Sequence, residues 1–171
     1  MKKWYLFIFC GVLFIILFIP FERAFTFTET KVEKPEMYYL PLHQEQEFQL
    51  LFTHSIHKTD VIESYVVLSN NELRLMSMQY EDVAIGMPGY AEEGQTLIYD
   101  NGVYTLSYND AKLPNFNLFV ANIDASLQLI YQSSYIDLKQ QLIKGKSYLF
   151  EVKRLSLYEK MKGVRLYGER K

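Results

Sequence analysis

A short polar run in the middle of the chain carries most of the side chains that could do chemistry. Residues 52–63, Phe-Thr-His-Ser-Ile-His-Lys-Thr-Asp-Val-Ile-Glu, hold two histidines, three hydroxyl groups, one lysine and two carboxylates. Imidazole and carboxylate groups are zinc ligands, and a serine next to a histidine is the pairing of a nucleophile with its base. The run is therefore the first candidate for a site, and a polar turn is the alternative.

Strand geometry argues against both metal and nucleophile chemistry in this run. His54 and His57 are three residues apart, so on a strand they point to opposite faces, and only a turn between them could bring the two rings together. His54 and Ser55 also diverge on a strand, and the chain has no Gly-x-Ser-x-Gly elbow. We therefore expect no metal, no cofactor and no catalytic residue.

Glu63 supports a sharper hypothesis. It shares one strand face with the apolar side chains of Val61 and Tyr65. Burying an unpaired carboxylate costs roughly several kcal/mol, so a carboxylate on an apolar face needs a partner. His54 or Lys58, on the adjoining segment, is the predicted partner.

The elements that must position these residues are predicted to be β-strands. Apolar and polar residues alternate from Phe48 to His54, which is the period of a strand rather than of a helix. Further strands are predicted near residues 37–40 and at 61–68, 73–80, 96–108, 116–122, 127–132, 147–155 and 164–167. The pattern predicts an all-β fold, a single sandwich or partly open barrel of about eight to ten short antiparallel strands.

The sequences of two turns predict β-hairpins, and the second also predicts which residues pair across the strands. The dipeptide Asn70-Asn71 is expected to close one hairpin, and Asn101-Gly102 is expected to form a type I′ turn in another. The second turn sets Tyr99 opposite Tyr104 and Leu97 opposite Leu106, and places all four on a face that should pack against the core.

The N-terminus is predicted to be a membrane anchor. Lys2 and Lys3 precede residues 4–21, an apolar run without a charge that is long enough for one transmembrane helix. Bulky residues after the run favour an uncleaved signal-anchor over a cleaved signal peptide. The two lysines place the N-terminus in the cytoplasm and the rest outside. The predicted division is an anchor (1–24), a stalk with a first short strand (25–46) and an extracytoplasmic β domain (47–171).

The charge of the chain argues against one class of binding partner. The chain has a net charge of −2 and no basic cluster outside the anchor, which argues against nucleic-acid binding. A loop at residues 81–94 is long for a β domain, and such loops are often functional or mobile. The two glycines and the proline around Met87 also fit a fixed turn.

The polar run and the later Gly86-Met87-Pro88 resemble a known family. Residues 52–65 follow the pattern aromatic-x-His-Ser-hydrophobic-x-Lys-Thr-x-Val-x-Glu-x-Tyr of the bacterial domain-of-unknown-function 1850 family. An acidic residue is usual where this chain has His57. The family consists of small extracytoplasmic proteins associated with tripartite (TRAP) transporters of the TAXI type. The resemblance implies an accessory role in solute uptake and transfers no catalytic residue.

Three functions follow as expectations. The first is a bacterial single-pass membrane protein whose external domain is a non-catalytic accessory that contacts the transporter permease or its solute receptor. The second is a ligand-binding or hydrolytic domain that uses His54, Ser55 and Glu63, and the third is a structural envelope protein. The binding or fold-defining cluster is predicted to be His54, Ser55, Lys58, Thr59, Glu63, Tyr65, Gly86 and Pro88. An open pocket that contains both His54 and Glu63 would favour the second function.

Overall fold

The chain folds into two β-sheets in a computed structural model that describes residue 11 and residues 14–83 and 86–170. The strands are β1 (Glu22–Glu29), β2 (Met37–Pro41), β3 (Glu47–Thr53), β4 (Asp60–Val67), β5 (Leu73–Tyr80), β6 (Gln95–Asp100), β7 (Val103–Leu113), β8 (Asn115–Phe119), β9 (Leu127–Tyr131), β10 (Ser134–Asp137), β11 (Ser147–Leu155), β12 (Val164–Arg165) and β13 (Glu169–Arg170). Two short helices, α1 (Leu138–Gln141) and α2 (Leu157–Lys162), lie between strands. The smaller sheet has the order β12-β2-β1-β11-β8, and the larger has the order β13-β10-β9-β3-β4-β5-β7-β6.

The two sheets share one buried core, as the sheets of a β-sandwich do. Aromatic rings from the smaller sheet contact rings from the larger one: Phe25 lies 4.9 Å from Phe48 and Phe116 lies 5.8 Å from Tyr65, measured between ring centroids. Such pairs contribute about 0.5–1.5 kcal/mol each beyond the area they bury. The predicted all-β fold is confirmed. The observed strands outnumber the predicted ones because β1, β10 and the two-residue strand β13 were not expected.

Both predicted hairpins form, and the second has the expected register. Asn71 has a φ of 70° between β4 and β5, and Asn101 and Gly102 have φ values of 48° and 87° between β6 and β7. Tyr99 lies opposite Tyr104, and Leu97 lies opposite Leu106. Tyr99 nevertheless stays 61 % exposed, because β6 is the edge strand of the larger sheet and little packs beyond it.

The predicted stalk is wrong for its first part. Residues 22–29 form β1, which pairs with β2 on one side and with β11 on the other. Phe25 and Phe27 of this strand are fully buried in the shared core. The β-structure therefore begins at Glu22, and the short strand predicted near residues 37–40 is its hairpin partner β2.

Half of the predicted anchor lies outside the described residues, which include residue 11 and residues 14–21 of the apolar run 4–21. Residues 14–18 are helical, and Phe18 packs its ring against Tyr158 of α2 at 4.8 Å. Within the described part of the chain, no helix combines the length and the apolar character that crossing a membrane requires.

The inner face of the larger sheet carries a second, smaller apolar cluster beside the main core. Its buried members are Val61, Tyr80 and Leu106. Met87, from the loop between β5 and β6, packs onto this cluster, and the Tyr80 hydroxyl donates a hydrogen bond to the backbone carbonyl of Pro88. We call this group the covered cluster, because the loop segment around Met87 lies over it.

Candidate functional site

A cavity of about 580 Å³ opens between the smaller sheet and the inner face of the larger one. Strand β8 and the loop that follows it, residues 120–126, form one wall, and strands β3, β4, β5 and β7 form the other. Most of the lining is apolar and includes Leu50, Phe52, Leu75, Leu113, Phe116 and Leu118. The polar and charged side chains along its wall include His54, Ser55, Glu63, Tyr65 and Lys139. We call this space the Glu63 cavity.

Strand β4 points the carboxyl group of Glu63 into this cavity. Alternate residues of a strand share a face, and Val61 and Tyr65, on either side of Glu63, are buried. Leu50 of β3 and Met78 of β5 are the cross-strand neighbours of Glu63. The carboxyl group therefore lies among apolar side chains, and burial raises its pKa above the usual value for a glutamate.

Tyr65 is the hydrogen-bond partner of this carboxyl group. Its hydroxyl donates to Oε2 of Glu63 at 2.7 Å, and this bond opposes part of the rise in the Glu63 pKa. The Tyr65 ring stacks on Phe48 at 5.1 Å and on Phe116 at 5.8 Å, which fixes its position in the core. Burial and the neighbouring Glu63 both raise the pKa of Tyr65, so its hydroxyl keeps its proton.

The turn between β3 and β4 brings His54 and Ser55 to the same cavity. The backbone N–H of His54 donates to the carbonyl of Thr59 at 2.8 Å, and the N–H of Lys58 donates to the carbonyl of His54 at 3.0 Å. Lys58 adopts a φ of 59°, which lets the chain reverse direction. Nδ1 of His57 lies 3.0 Å from Oδ2 of Asp82, so this turn also contacts the loop after β5.

Lys139 holds the outer wall of the cavity in place. Its ammonium group donates to the backbone carbonyls of Ile123 and Ala125, the latter at 2.7 Å. Both carbonyls belong to the loop 120–126. The lysine lies in α1, whose N-terminus is capped by the Asp137 side chain. The position of the loop therefore depends on a residue that lies 16 and 14 positions after the two carbonyls it contacts.

Comparison with known proteins gives one match, over residues 48–138 and thus over more than half of the chain. The matching family is described as a domain of unknown function, DUF1850. The chain belongs to this family. The DUF1850 segment extends from β3 into the start of α1, and it contains every residue of the cavity lining named above except Lys139. No curated protein and no solved structure matched the chain.

The structure separates the predicted cluster of the DUF1850 segment into two groups. Four of its members, His54, Ser55, Glu63 and Tyr65, line the Glu63 cavity. The other four, Lys58, Thr59, Gly86 and Pro88, are absent from its lining.

These other four residues shape turns and loops. Thr59 closes the β3–β4 turn through its carbonyl, and Lys58 borders a neighbouring depression that shares Thr53 and part of the loop 120–126 with the cavity. Pro88 accepts the hydrogen bond of Tyr80 over the covered cluster. Gly86 precedes it with a φ of 92°, a conformation that favours glycine.

The predicted partner of Glu63 was wrong. The carboxyl group bonds to Tyr65, whereas neither His54 nor Lys58 donates to it among the hydrogen bonds of the described residues. The physical reason is strand geometry: residues two apart share a face, so Tyr65 reaches back along β4 to its neighbour. The side chain of Lys58 borders the neighbouring depression and is absent from the lining of the Glu63 cavity.

The two histidines lie closer than strand geometry predicts. His54 follows the last residue of β3, and the turn beyond it brings the ring centroids of His54 and His57 to 5.8 Å. Within the described residues, no third histidine, cysteine, aspartate or glutamate joins them in a group that could hold a metal ion. The Nδ1 atom of His54 instead faces the backbone N–H of His57 at 3.4 Å.

Sequence reasoning missed the far wall of the cavity. Leu113, Phe116 and Ile123 come from segments at least fifty residues after the polar run, and long-range packing brings them to Glu63. The alternation of Phe116 with Leu118 predicts which face of β8 is apolar, but it does not predict what that face contacts. Lys139 had no signal in the sequence, because its role depends on the path of the loop 120–126.

Proposed function

We propose that the domain binds a small molecule with an apolar body in the Glu63 cavity. One observation carries this proposal: a carboxyl group lies on the wall of an open cavity of about 580 Å³ whose other lining is mostly apolar. Ligand pockets typically measure about 300–1,000 Å³ and combine an apolar lining with a few polar groups that orient the ligand. The Glu63 cavity has both properties.

The stability of the fold does not explain why a glutamate occupies position 63. An apolar residue at position 63 would extend the core between Leu50 and Met78, its cross-strand neighbours, whereas a carboxyl group must lose water to lie there. The raised pKa of Glu63 reflects that cost. Ionisable groups with raised or lowered pKa values in clefts are typical of functional sites.

The geometry favours binding over hydrolysis. Ser55 is exposed in the turn, and no hydrogen bond joins its hydroxyl to His54 within the described residues. Without such a bond the serine has no general base to activate it. We therefore assign His54 and Ser55 to the wall of a binding site and give them no role in a covalent step.

A blocked-cavity variant tests the proposal. Leu75→Trp places a larger apolar side chain in the cavity wall, and Ile98→Trp, on the exposed outer face of β6, is the matched control. The probe is 2-naphthylmethanol, a neutral molecule with an apolar body, titrated into the full chain by calorimetry. We expect wild type and Ile98→Trp to bind and Leu75→Trp to lose at least about tenfold in affinity. Equal binding by all three, or by none, would contradict the proposal.

We also propose, as a second function, the transporter contact expected from the family resemblance. Two exposed apolar residues of the cavity wall support it: Phe119 is 59 % exposed and Ile123 is 47 % exposed, beside the open edge of β8. Exposed apolar side chains grouped at one site, as these two are at the mouth of the cavity, are typical of surfaces that bind another protein or a ligand. The test is crosslinking and co-purification with a TAXI-type permease or solute receptor, together with solute uptake in cells that lack this protein. Failure to co-purify, with unchanged uptake, would contradict this role.

We further propose that residues 4–21 form an uncleaved transmembrane anchor, with the N-terminus in the cytoplasm and the β domain outside. The uninterrupted apolar run after Lys2 and Lys3 supports this. The test replaces Cys10 by serine and introduces one cysteine at Asn101, in the exposed turn between β6 and β7. This cysteine should react with a membrane-impermeant thiol reagent in intact cells. Labelling only after lysis would contradict the proposed orientation.

A further inference from the structure

We propose that the Glu63 cavity selects an organic cation, a protonated amine carried on an apolar body. This inference rests on the proposed binding function and specifies the chemical class of its ligand. It follows from three properties of the cavity: the direction of its hydrogen bonds, the balance of its charges and the position of its aromatic rings.

The hydrogen bonds at Glu63 leave acceptors facing the ligand. The Tyr65 hydroxyl uses its one hydrogen to bond Oε2 of Glu63, so its oxygen can only accept a further hydrogen bond. The second carboxyl oxygen of Glu63 receives no hydrogen bond from the described residues. When Glu63 is ionised, a ligand group that approaches this pair must therefore donate, and an ammonium group has up to three donors.

The charge of Glu63 also lacks a positively charged partner among the described lining residues. Glu63 is the only acidic residue among the described lining residues, and Lys139 is the only lysine or arginine. The Lys139 ammonium group already donates to the carbonyls of Ile123 and Ala125 in the outer loop. Within the described part of the chain, no cation pairs with the carboxyl group, and a cationic ligand would complete the ion pair inside an apolar wall.

Aromatic rings line the space next to this carboxyl group. Phe52, Tyr65 and Phe116 all border the cavity. Tyr65 and Phe116 already contact other rings of the core, whereas Phe52 has no aromatic partner among the described residues, so its ring is the one offered to a ligand. The faces of aromatic rings attract ammonium groups, and the attraction is stronger where water is excluded. An anionic ligand would gain nothing from these faces and would be repelled by an ionised Glu63.

A set of three probes with one shared body tests the inference. The full chain in detergent is titrated by calorimetry with 2-naphthylmethylamine, 2-naphthylmethanol and 2-naphthoate, which differ only in a cationic, a neutral or an anionic group. For the wild type we expect the amine to bind at least about tenfold more tightly than the alcohol, and the naphthoate to bind most weakly.

Variants at the carboxyl group assign this preference to Glu63. Glu63→Gln keeps an oxygen that can accept the Tyr65 hydrogen bond but removes the charge, so the preference for the amine should fall to about twofold or less while the alcohol still binds. Glu47→Gln, at the exposed start of β3, is the control and should keep the wild-type preference. Circular dichroism confirms that each variant is folded.

The outcomes separate this inference from the proposed function. If the alcohol binds as tightly as the amine, or if Glu63→Gln keeps the preference, the cation inference is wrong although the cavity still binds small molecules. If the naphthoate binds most tightly, the inference is also wrong. If none of the three binds, both the inference and the proposed function fail.

Discussion

The Glu63 cavity and the covered cluster are two halves of the same sheet face, and they are completed in opposite ways. Val61 and Glu63 are two residues apart on β4 and point to the same side. Around Val61 the face is closed by Met87, and the hydrogen bond from Tyr80 to Pro88 holds that loop segment in place. Around Glu63 the face opens into a cavity of about 580 Å³.

Under the proposed binding function, the difference separates the part of the family pattern that serves the fold from the part that serves the site. The later motif, Gly86-Met87-Pro88, covers apolar surface and therefore contributes to stability. The earlier motif supplies His54, Ser55, Glu63 and Tyr65 to the cavity wall. Substitutions in the covered cluster should therefore reduce stability and spare binding, and substitutions in the cavity should do the reverse.

The largest expected effect is on the covered cluster. Leu106 is fully buried there, so Leu106→Ala should lower the free energy of unfolding by about 2–5 kcal/mol. Leu75→Ala should cost less than half as much, because Leu75 already borders open space. Urea denaturation followed by circular dichroism measures both values. Equal losses for the two variants would show that the cavity is packed as tightly as the cluster.

A smaller loss of stability is expected where a hydrogen bond holds the loop segment around Met87 on the covered cluster. Tyr80→Phe removes the hydrogen bond to the carbonyl of Pro88 and should cost about 1 kcal/mol. The freed loop should also be cleaved more rapidly by protease under native conditions. Tyr99→Phe is the control, because the Tyr99 side chain is largely exposed and should change stability by less than about 0.5 kcal/mol. Identical cleavage of wild type and Tyr80→Phe would contradict the role of this contact.

The smallest effect on stability is expected at Glu63, and the size of this effect depends on pH. Its pKa is raised in the folded state, so the folded protein holds this proton more tightly than the unfolded chain does. Its contribution to stability is fully present below the pKa of the unfolded chain and is lost as the pH rises through the folded pKa. The pKa values of nearby Tyr65 and Tyr108 are raised by burial and by Glu63, so both keep their protons in this window.

Glu63→Gln removes this pH dependence. We expect the variant to unfold at a higher temperature than the wild type at neutral pH and to lose that advantage at about pH 4, where the wild-type carboxyl group is protonated. Thermal denaturation from pH 4 to 8 measures the difference, with Glu47→Gln as the exposed control. A Glu63→Gln variant that is less stable than the wild type at pH 7 would contradict a desolvated carboxyl group.

Local pattern predicted much of the fold, because strand alternation and turn chemistry are local properties. It gave the register of Tyr99 with Tyr104 and the apolar face that Glu63 shares with Tyr65. It failed at β1, where Glu29, Lys31 and Pro35 in and after the strand suggested a stalk, although Phe25 and Phe27 are buried between two neighbouring strands.

The cavity itself was beyond local reasoning. Its far wall depends on how β8 and the loop 120–126 lie against the larger sheet, and that arrangement is set by pairing between distant strands such as β8 and β11. The partner of Glu63 was missed for a simpler reason. The sequence pattern favours a basic side chain on a neighbouring segment as the partner, whereas the partner is the neutral hydroxyl of Tyr65 on the same strand.

The most direct test of the proposed binding site is a methyl-detected NMR titration of the full chain with 2-naphthylmethanol. We predict chemical-shift changes for the methyl groups of Leu75, Leu113 and Leu118, which line the Glu63 cavity, and none for Val61 and Leu106 in the covered cluster. Changes confined to the covered cluster, or no changes up to the solubility limit of the probe, would contradict the account.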